Sequence, residues 1–507
     1  MSEAQLTPGA GNVPPPRPLT EGEGPGEADQ FSAVRIGALI GGPVVAIALL
    51  FVTPPEGMPP EAWRLVSLTA WMVIWWLGEA VPIPATALLP IPFMPIYDIG
   101  GMRDVAANYA HSLIFLFLGG FLLAAAMQRW GLHRRVALRI VAAIGTTPGR
   151  IIGGFMLATA LLSMWISNTA TTVMMFAVAL SVIDFVSRTT DDDRMLRNFG
   201  VALMLGVAYS ASIGGVGTLI GTPPNALLAS FLSSSYDIDI GFFTWMLFGI
   251  PIVLVMLPTA WLLLTKVIFP ASSVDIGDAG SIVRRELGAL GPMSYAEKVV
   301  GVVFLAAAAS WILRKPIASA TGLPINDTSI AMFAALALFA WPVSMRSNKF
   351  VLDWAAARDV PWGVLILFGG GLALAAAFRT TGLAEWIGTS VAGFDVSTWM
   401  LVLLVSGAII YMTEITSNTA STATFLPILG AVAIGLGLDP MILAIPVAVG
   451  ASMAFMMPVA TPPNAIVFSY DRMKLRDMVM AGFWLNIFAM GVTFGAMYFL
   501  ARPIFGL

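Results

Sequence analysis

Two hexapeptides carry most of the chemistry in this 507-residue sequence: Ser-Asn-Thr-Ala-Thr-Thr at 167–172 and Ser-Asn-Thr-Ala-Ser-Thr at 417–422. Ser-Asn-Thr is short, polar and rich in donors and acceptors. Asn168 and Asn418 can each offer a carbonyl oxygen to a cation and an amide to a carboxylate. Each hexapeptide is followed by a second motif, Gly-Thr-Pro-Pro-Asn-Ala at 221–226 and Ala-Thr-Pro-Pro-Asn-Ala at 460–465. Proline lacks the backbone donor and clashes with the preceding turn, so two in succession break a helix. Carbonyls before the break lose their partners, which lipid tolerates only where protein, water or an ion satisfies them. The helix that restarts points its positive end and free N–H groups at the same place. A broken helix thus presents carbonyls to a cation and amides to an anion.

Thr169, Thr222, Thr419 and Thr461 can donate hydroxyl hydrogens to that anion. Each alone is equally suited to back-bonding within its helix; four at matching breaks favour ligand contact. No Lys or Arg lies near these motifs, so helix N-termini and co-bound cations must balance an anion. Neither motif contains a carboxylate, and proton relays generally use intramembrane Asp, Glu or His. Glu79 and Asp184 read as residues near a membrane face. Glu414, four residues before Asn418, either lines the site or orients the chain around it. The shortage of acids favours sodium over protons as the coupling ion.

The chain that carries these motifs is 58% hydrophobic and only 11% charged, where a soluble domain carries about a quarter charged residues. Its mean hydropathy is +0.86. This is a polytopic membrane protein, and the composition excludes a soluble enzyme. The absence of cysteine excludes disulfides, thiolate metal sites and a cysteine nucleophile. With His111 and His133 the only histidines, no HExxH or multi-histidine metal site can form. A net charge of −3 gives no sign of a nucleic-acid partner. Residues 1–34, with six Pro, five Gly and five acidic residues, read as a disordered cytoplasmic tail and not as a signal peptide.

Apolar runs long enough to cross a bilayer are expected near 35–53, 63–81, 84–97, 112–128, 198–232, 242–268, 298–314, 327–345, 361–378, 439–470 and 478–501, eleven crossings in all. Segments 150–186 and 396–433 have a polar motif at the centre and read as re-entrant helical hairpins with Ser-Asn-Thr at the tip. With the N-terminus cytoplasmic, this topology places twenty Lys and Arg inside and six outside. Counting either hairpin as a crossing would invert every later loop and destroy the bias.

The motifs recur in order, and LGGFLLAAA at 118–126 returns approximately as GGGLALAAA at 369–377. The expected fold class is therefore an all-α polytopic protein, about 11 transmembrane helices plus two re-entrant hairpins, in an inverted-topology repeat. A first helix at 35–62 precedes repeat 1 at 63–270; a cytoplasmic linker at 271–297 leads to repeat 2 at 298–505. Inverted repeats are typical of secondary transporters, with the substrate near the midplane between the two units. Small residues clustering only for helix packing would need no fixed Asn.

The paired Ser-Asn-Thr motifs, each followed by a Thr-Pro break, resemble the divalent anion/sodium symporters, the group of INDY-type sodium–dicarboxylate transporters. VPIPATALLPIPFMP at 81–95, MWISNTATTVMM at 164–175 and FGGGLALA at 368–375 extend the likeness, which covers residues 35–505. The resemblance implies two sodium sites. One uses Ser163, Asn168 and backbone around Ser167 and Gly221; the other uses Thr413, Asn418 and backbone around Thr416 and Ala460. It implies substrate carboxylates held by Asn168, Thr169, Thr222, Asn418, Thr419, Thr461 and Pro462. It further implies a homodimer in the plasma (inner) membrane and an elevator-type movement of the hairpins and broken helices.

The leading expectation is sodium-driven symport of a C4-dicarboxylate such as succinate, malate or fumarate. A cation-independent dicarboxylate exchanger on the same scaffold is the close alternative, and citrate and sulfate are open as substrates. An ion channel with re-entrant loops is disfavoured because two inverted, nonidentical loops face one another within one chain. A membrane enzyme is disfavoured because Ser167 and Ser417 have no His or Lys partner in reach and sit in no GxSxG elbow.

Overall fold

The computed structural model describes residues 33–145, 147–188, 192–270, 279–345, 348–392 and 396–507. The expected tail at 1–34 lies outside them except for its last two residues, which begin the first helix. Unbroken apolar sequence makes long helices here; Pro60, Pro148, Pro223 and Pro462 each begin a helix, and Pro251 and Pro258 are accommodated inside another. The N-terminal part contains α1 (Ala33–Leu50) packed on α2 (Pro60–Leu77). It continues through α3 (Ile83–Thr86), α4 (Pro90–Ile96) and α5 (Met102–Ala107) into α6 (Ser112–Arg129). The amphipathic α7 (Leu132–Ile144) leads into the helix pair α8 (Pro148–Ser163) and α9 (Asn168–Ser187). The first broken helix follows: α10 (Asp193–Gly215), an irregular stretch at 216–222, and α11 (Pro223–Tyr236). The long α12 (Phe242–Leu262) ends in a π-helical turn, Leu263–Ile268.

The second part begins with α13 (Ala279–Ala289), then α14 (Tyr295–Ile312), α15 (Arg314–Thr321) and α16 (Asp327–Ala340). A two-stranded antiparallel ribbon, β1 (Pro342–Ser344) and β2 (Lys349–Phe350), turns the chain into α17 (Trp354–Ala357) and α18 (Trp362–Thr380). After the short α19 (Leu383–Val391) come the second helix pair, α20 (Thr398–Met412) and α21 (Asn418–Gly435), and the second broken helix, α22 (Met441–Ala451) and α23 (Pro462–Phe468). The chain closes with α24 (Leu475–Ala496), another π-helical turn and α25 (Arg502–Phe505).

Among the described residues nine helices are long and apolar enough to cross a membrane, against the eleven crossings expected. The difference has physical causes. The expected crossing at 84–97 is not one helix, because Pro84, Pro90, Pro92 and Pro95 divide it into pieces of four and seven residues. Segments 327–345 and 439–470 are built from shorter helices, and α2 is not apolar enough to qualify. Two of the nine, α9 and α21, are the second arms of the helix pairs. The described part of the linker expected at 271–297, from residue 279 onward, contains a helix, α13.

Several ion pairs join separate segments that are expected on the same side of the membrane. Arg129–Asp353, Arg134–Glu286, Arg135–Glu297, Arg197–Asp477 and Arg472–Asp193 all join segments assigned to the cytoplasmic side. Arg314–Asp327 joins two segments assigned to the other side. The Arg129 guanidinium and the Ala356 N–H hold the Asp353 carboxyl below its ordinary range.

Arg135 is the buried arginine of the first five pairs, at 4% exposure against 5% for Glu297. It bonds both carboxylate oxygens of Glu297, at 2.8 and 3.3 Å, and the carbonyls of Gly291 and Leu290. Glu297 in turn accepts from Ser294 N as part of a capping box that starts α14. This pair fixes α7 to the start of the second half. Removing one partner strands a buried charge. Arg135→Met or Glu297→Leu alone is expected to destabilise the protein by about 3–5 kcal/mol, and the double variant to recover most of that loss. Thermal or chemical unfolding in detergent, compared across this cycle, reads the result.

Candidate functional site

Each helix pair bends back over four or five residues, and its return helix starts at the Asn of the hexapeptide. Ser167 is the N-cap of α9, and its Oγ accepts from Ala170 N at 3.2 Å. Thr172 and Thr422 close the same turn in both copies, each donating its hydroxyl to the carbonyl of Asn168 or Asn418 at 2.8 Å. This local bonding accounts for the final Thr of each hexapeptide.

In the first half the Asn168 side chain reaches across to the last turn of α8 and to the broken helix. One end of its amide lies 2.5 Å from Ser163 Oγ, 3.3 Å from Ala211 O and 3.2 Å from Gly221 O. Ser163 Oγ also stands 2.7 Å from Ala211 O. With the amide oxygen at that end, four oxygens converge and share the single hydroxyl proton of Ser163. With the amide turned over, its N–H groups donate to the two carbonyls. A cation among the four oxygens stabilises the first orientation, and its departure the second.

The second half repeats the arrangement. Thr413 Oγ1 donates to Asn418 Oδ1 at 2.7 Å and stands 3.4 Å from Ala451 O. Hydroxyl, amide and backbone carbonyl oxygens make a neutral, hard-donor cage, which suits a weakly held alkali cation. Among the described residues no three His, Asp or Glu side chains cluster as a divalent metal would need.

The two breaks are not held alike. At the first, Thr218 Oγ1 donates to Met164 O and Trp245 Nε1 to Val216 O at 2.9 Å. At the second, Glu414 occupies the position of Met164. Its Oε1 accepts from Phe455 N (2.7 Å) and Met456 N (3.0 Å), its Oε2 from Met456 N (3.0 Å) and Met457 N (2.9 Å). Asn486 Nδ2, from α24, completes the set at 2.6 Å. Glu414 thus orients the second break with three consecutive backbone amides. Gly221 reflects a close approach at the first break: a Cβ there would stand 2.4 Å from Gly215 O. Ala460 holds the matching place at the second.

The remaining expected residues sort by exposure and partners. Thr222 and Thr461 are each 4% exposed. Thr461 Oγ1 accepts from Asn464 N at 3.2 Å, which leaves its proton to donate elsewhere. The Thr169, Thr222 and Thr419 hydroxyls have no hydrogen-bond partner among the described residues. Ser167, Thr169 and Pro462 are exposed, and Thr419 is half-buried. Thr416 spends its hydroxyl on Met412 O (2.9 Å) and Ser421 Oγ (2.8 Å), so only its backbone is left for a ligand. Glu79 and Asp184 are exposed, away from both cages.

Sequence reasoning missed the carbonyls of Ala211 and Ala451, since a backbone oxygen leaves no trace in residue type. It also passed over Asn225 and Asn464, although their repetition in Thr-Pro-Pro-Asn was the available signal.

A predominantly helical membrane scaffold with two broken helices, each beside an oxygen cage, belongs to the class of membrane transport proteins. The family model for the sodium:sulfate symporter transmembrane region matches residues 36–505, and the chain belongs to that family. It is a symporter family and not a family of enzymes. The chain is 39% identical over 488 residues to the sodium-dependent dicarboxylate transporter SdcS of Staphylococcus saprophyticus, covering 95% of this chain and 94% of that one. It is 37% identical over 484 residues to the protein of the same name from Staphylococcus aureus, covering 94% and 93%. Its fold is similar to that of the YdaH transporter of Alcanivorax borkumensis, with a TM-score of 0.58 at 15% identity over 88% of this chain and 99% of that one.

Glu414 offers a direct check on how the second break is held. Glu414→Ala leaves three consecutive amides, buried at Phe455 and partly buried at Met456 and Met457, without an acceptor and is expected to cost roughly 3 kcal/mol or more. Glu414→Gln, which keeps one oxygen, is expected to cost less. Asn486→Leu removes only the fifth bond and is expected to cost about 1 kcal/mol. Unfolding midpoints of the three purified variants give the order.

Proposed function

We propose that this chain is a sodium-coupled symporter of C4-dicarboxylates such as succinate, malate and fumarate. The observation that carries the reading is the pair of neutral oxygen cages, Ser163/Asn168/Ala211/Gly221 and Thr413/Asn418/Ala451, each at a helix break. Each cage takes one sodium ion, with backbone near Ser167 and Thr416 and, in the second, near Ala460 completing the shell. The dicarboxylate lies between the two tips. One carboxylate is held by Asn168, Thr169 and Thr222; the other by Asn418, Thr419, Thr461 and the turn at Pro462. The unpartnered hydroxyls favour this assignment, and the free N–H groups that begin α9, α21 and α11 add partial positive charge. The two named relatives, both sodium-dependent dicarboxylate transporters, support the coupling ion and the dicarboxylate class of the substrate.

Coupling follows from charge. The dianion has no Lys or Arg at these motifs to neutralise it. An unfilled cage leaves its charge uncompensated and its Asn amide turned to the carbonyls, so substrate and sodium each raise the affinity of the other. Alternating access is assigned to an elevator-type movement in which α8–α11 and α20–α23 shift as one transport unit against the remaining helices. The reading includes repeats at 63–270 and 298–505, a homodimer, and a plasma-membrane location with the N-terminus cytoplasmic.

The test is uptake of radiolabelled succinate into proteoliposomes, with an inward sodium gradient or with sodium replaced by potassium or choline. Uptake confined to the sodium condition is expected. Sodium-independent uptake that needs internal dicarboxylate would make the protein an exchanger. Uptake of citrate or sulfate alone would retain the cages and move the substrate.

Three substitutions separate the roles. Asn168→Ala and Asn418→Ala are each expected to raise the sodium needed for half-maximal uptake by roughly tenfold or more and to weaken succinate as well. Thr222→Ala is expected to raise the KM for succinate by about tenfold with little change in the sodium requirement. Equal losses in both would mean that the break itself had collapsed.

A further inference from the structure

One residue shared by the two breaks has no part in the assignments above. Asn225 and Asn464 end the repeated Thr-Pro-Pro-Asn and stand third in α11 and α23. Both are 0% exposed. The Asn225 amide donates back across its break to Thr218 O at 2.8 Å, Gly215 O at 3.2 Å and Val216 O at 3.3 Å. The Asn464 amide donates to Met457 O at 3.0 Å and Ala454 O at 3.3 Å. Aligned on the shared motif, Thr218 matches Met457 and Gly215 matches Ala454. The same donor holds the same two carbonyls in both halves, although segments 215–218 and 454–457 share no residue. Carbonyls only accept, so these bonds also fix which end of each amide faces the break. The opposite end, the amide oxygen of Asn225 and of Asn464, is buried with no donor among the described residues.

The bond to Gly215 lies at the wall of the first cage. A Cβ on Gly215 would stand 2.9 Å from Asn168 Oδ1 and 3.1 Å from Gly221 O. With Gly215 O tied to Asn225, the oxygens left facing the Asn168 amide are those of Ser163, Ala211 and Gly221. Released, the Gly215 and Thr218 carbonyls would turn toward the nearest positive group and distort the cage.

We propose that Asn225 and Asn464 are positioning residues for the two cation sites, each selecting, through its amide N–H groups, which carbonyls of its break are free to face a cation. The proposal rests on the sodium reading. It assigns Asn225 to the first site and Asn464 to the second, with neither touching the ion through an N–H.

The test uses the full-length protein and sodium chloride as the probe. Asn225→Ala and the isosteric Asn225→Asp, which lacks the donors, are titrated with sodium by thermal shift in detergent and by succinate uptake in proteoliposomes. Half-saturation is expected to move to about tenfold higher sodium, with uptake at saturating sodium within about twofold of the wild type. Asn464→Ala is expected to behave alike. Combined with Asn168→Ala, Asn225→Ala is expected to add little, because both act on one site, whereas with Asn418→Ala the shifts are expected to multiply. If Asn225→Ala does not fold, Asn225→Ser and Asn464→Ala carry the measurement. Variants with the wild-type sodium requirement, or with reduced maximal uptake and no change in that requirement, overturn the proposal while leaving the sodium reading intact. A wild type that responds to sodium in neither assay overturns both.

Discussion

A helix interrupted inside a bilayer must find partners for its own backbone, and the rest of this structure is arranged around that need. Lipid supplies no donors or acceptors. Each break here leaves carbonyls behind it and amides ahead of it. The first break meets the need mainly with donors: Trp245 and Asn225 turn toward its carbonyls, while Thr218 ties it to Met164 O of the helix pair. The second adds a carboxylate, and Glu414 takes three consecutive amides at 2.7–3.0 Å. What those groups do not claim is what a ligand can use. The residues that hold the breaks therefore determine the cages as much as the residues that line them.

The two halves place these groups alike and hold them by different means. The hydroxyl–Asn–carbonyl triad survives in both halves, as Ser163 with Asn168 and Ala211, and as Thr413 with Asn418 and Ala451. The supports around it differ. Met164 stands where Glu414 does, and Gly221 where Ala460 does. Gly221 permits backbone to approach Gly215 closely enough that a Cβ would overlap it. The first cage is thus closed by close backbone packing, the second by a buried charge. Hairpin packing is asymmetric too. Trp165, two residues before the first tip, lies against Phe242, Phe304 and Trp311 at ring distances of 5.9, 4.9 and 6.4 Å.

How far these features were legible in the sequence depended on what kind of group carried them. Helix pairs and broken helices could be read because Ser-Asn-Thr and Thr-Pro-Pro interrupt apolar runs with side chains of distinctive chemistry. Partner choices inside the site could be read where a side chain makes them, as for Asn168 with Ser163 and Asn418 with Thr413. Ala211 and Ala451 could not be found, because their contribution is a carbonyl that any residue possesses. Proline also misled in one stretch. Residues 84–97 look like a crossing by hydropathy, but four prolines divide the stretch into short helices. The ribbon at 342–350 was invisible, since three residues paired with two leave no periodicity to detect.

Glu414 shows why the two readings open for it in the sequence exclude one another. A carboxylate lining the cage would pair directly with the cation and bind it tightly at any substrate concentration, which works against release. Bound instead to three amides and Asn486, its charge is spread into the backbone of the break and its lone pairs are already engaged. On the sodium reading proposed above, the cage would keep neutral ligands, and the carboxylate would act through the backbone it orients without touching the ion. A carrier that must release its ion on one side after binding it on the other gains from that separation: the charge fixes the geometry, and the weaker oxygens do the binding.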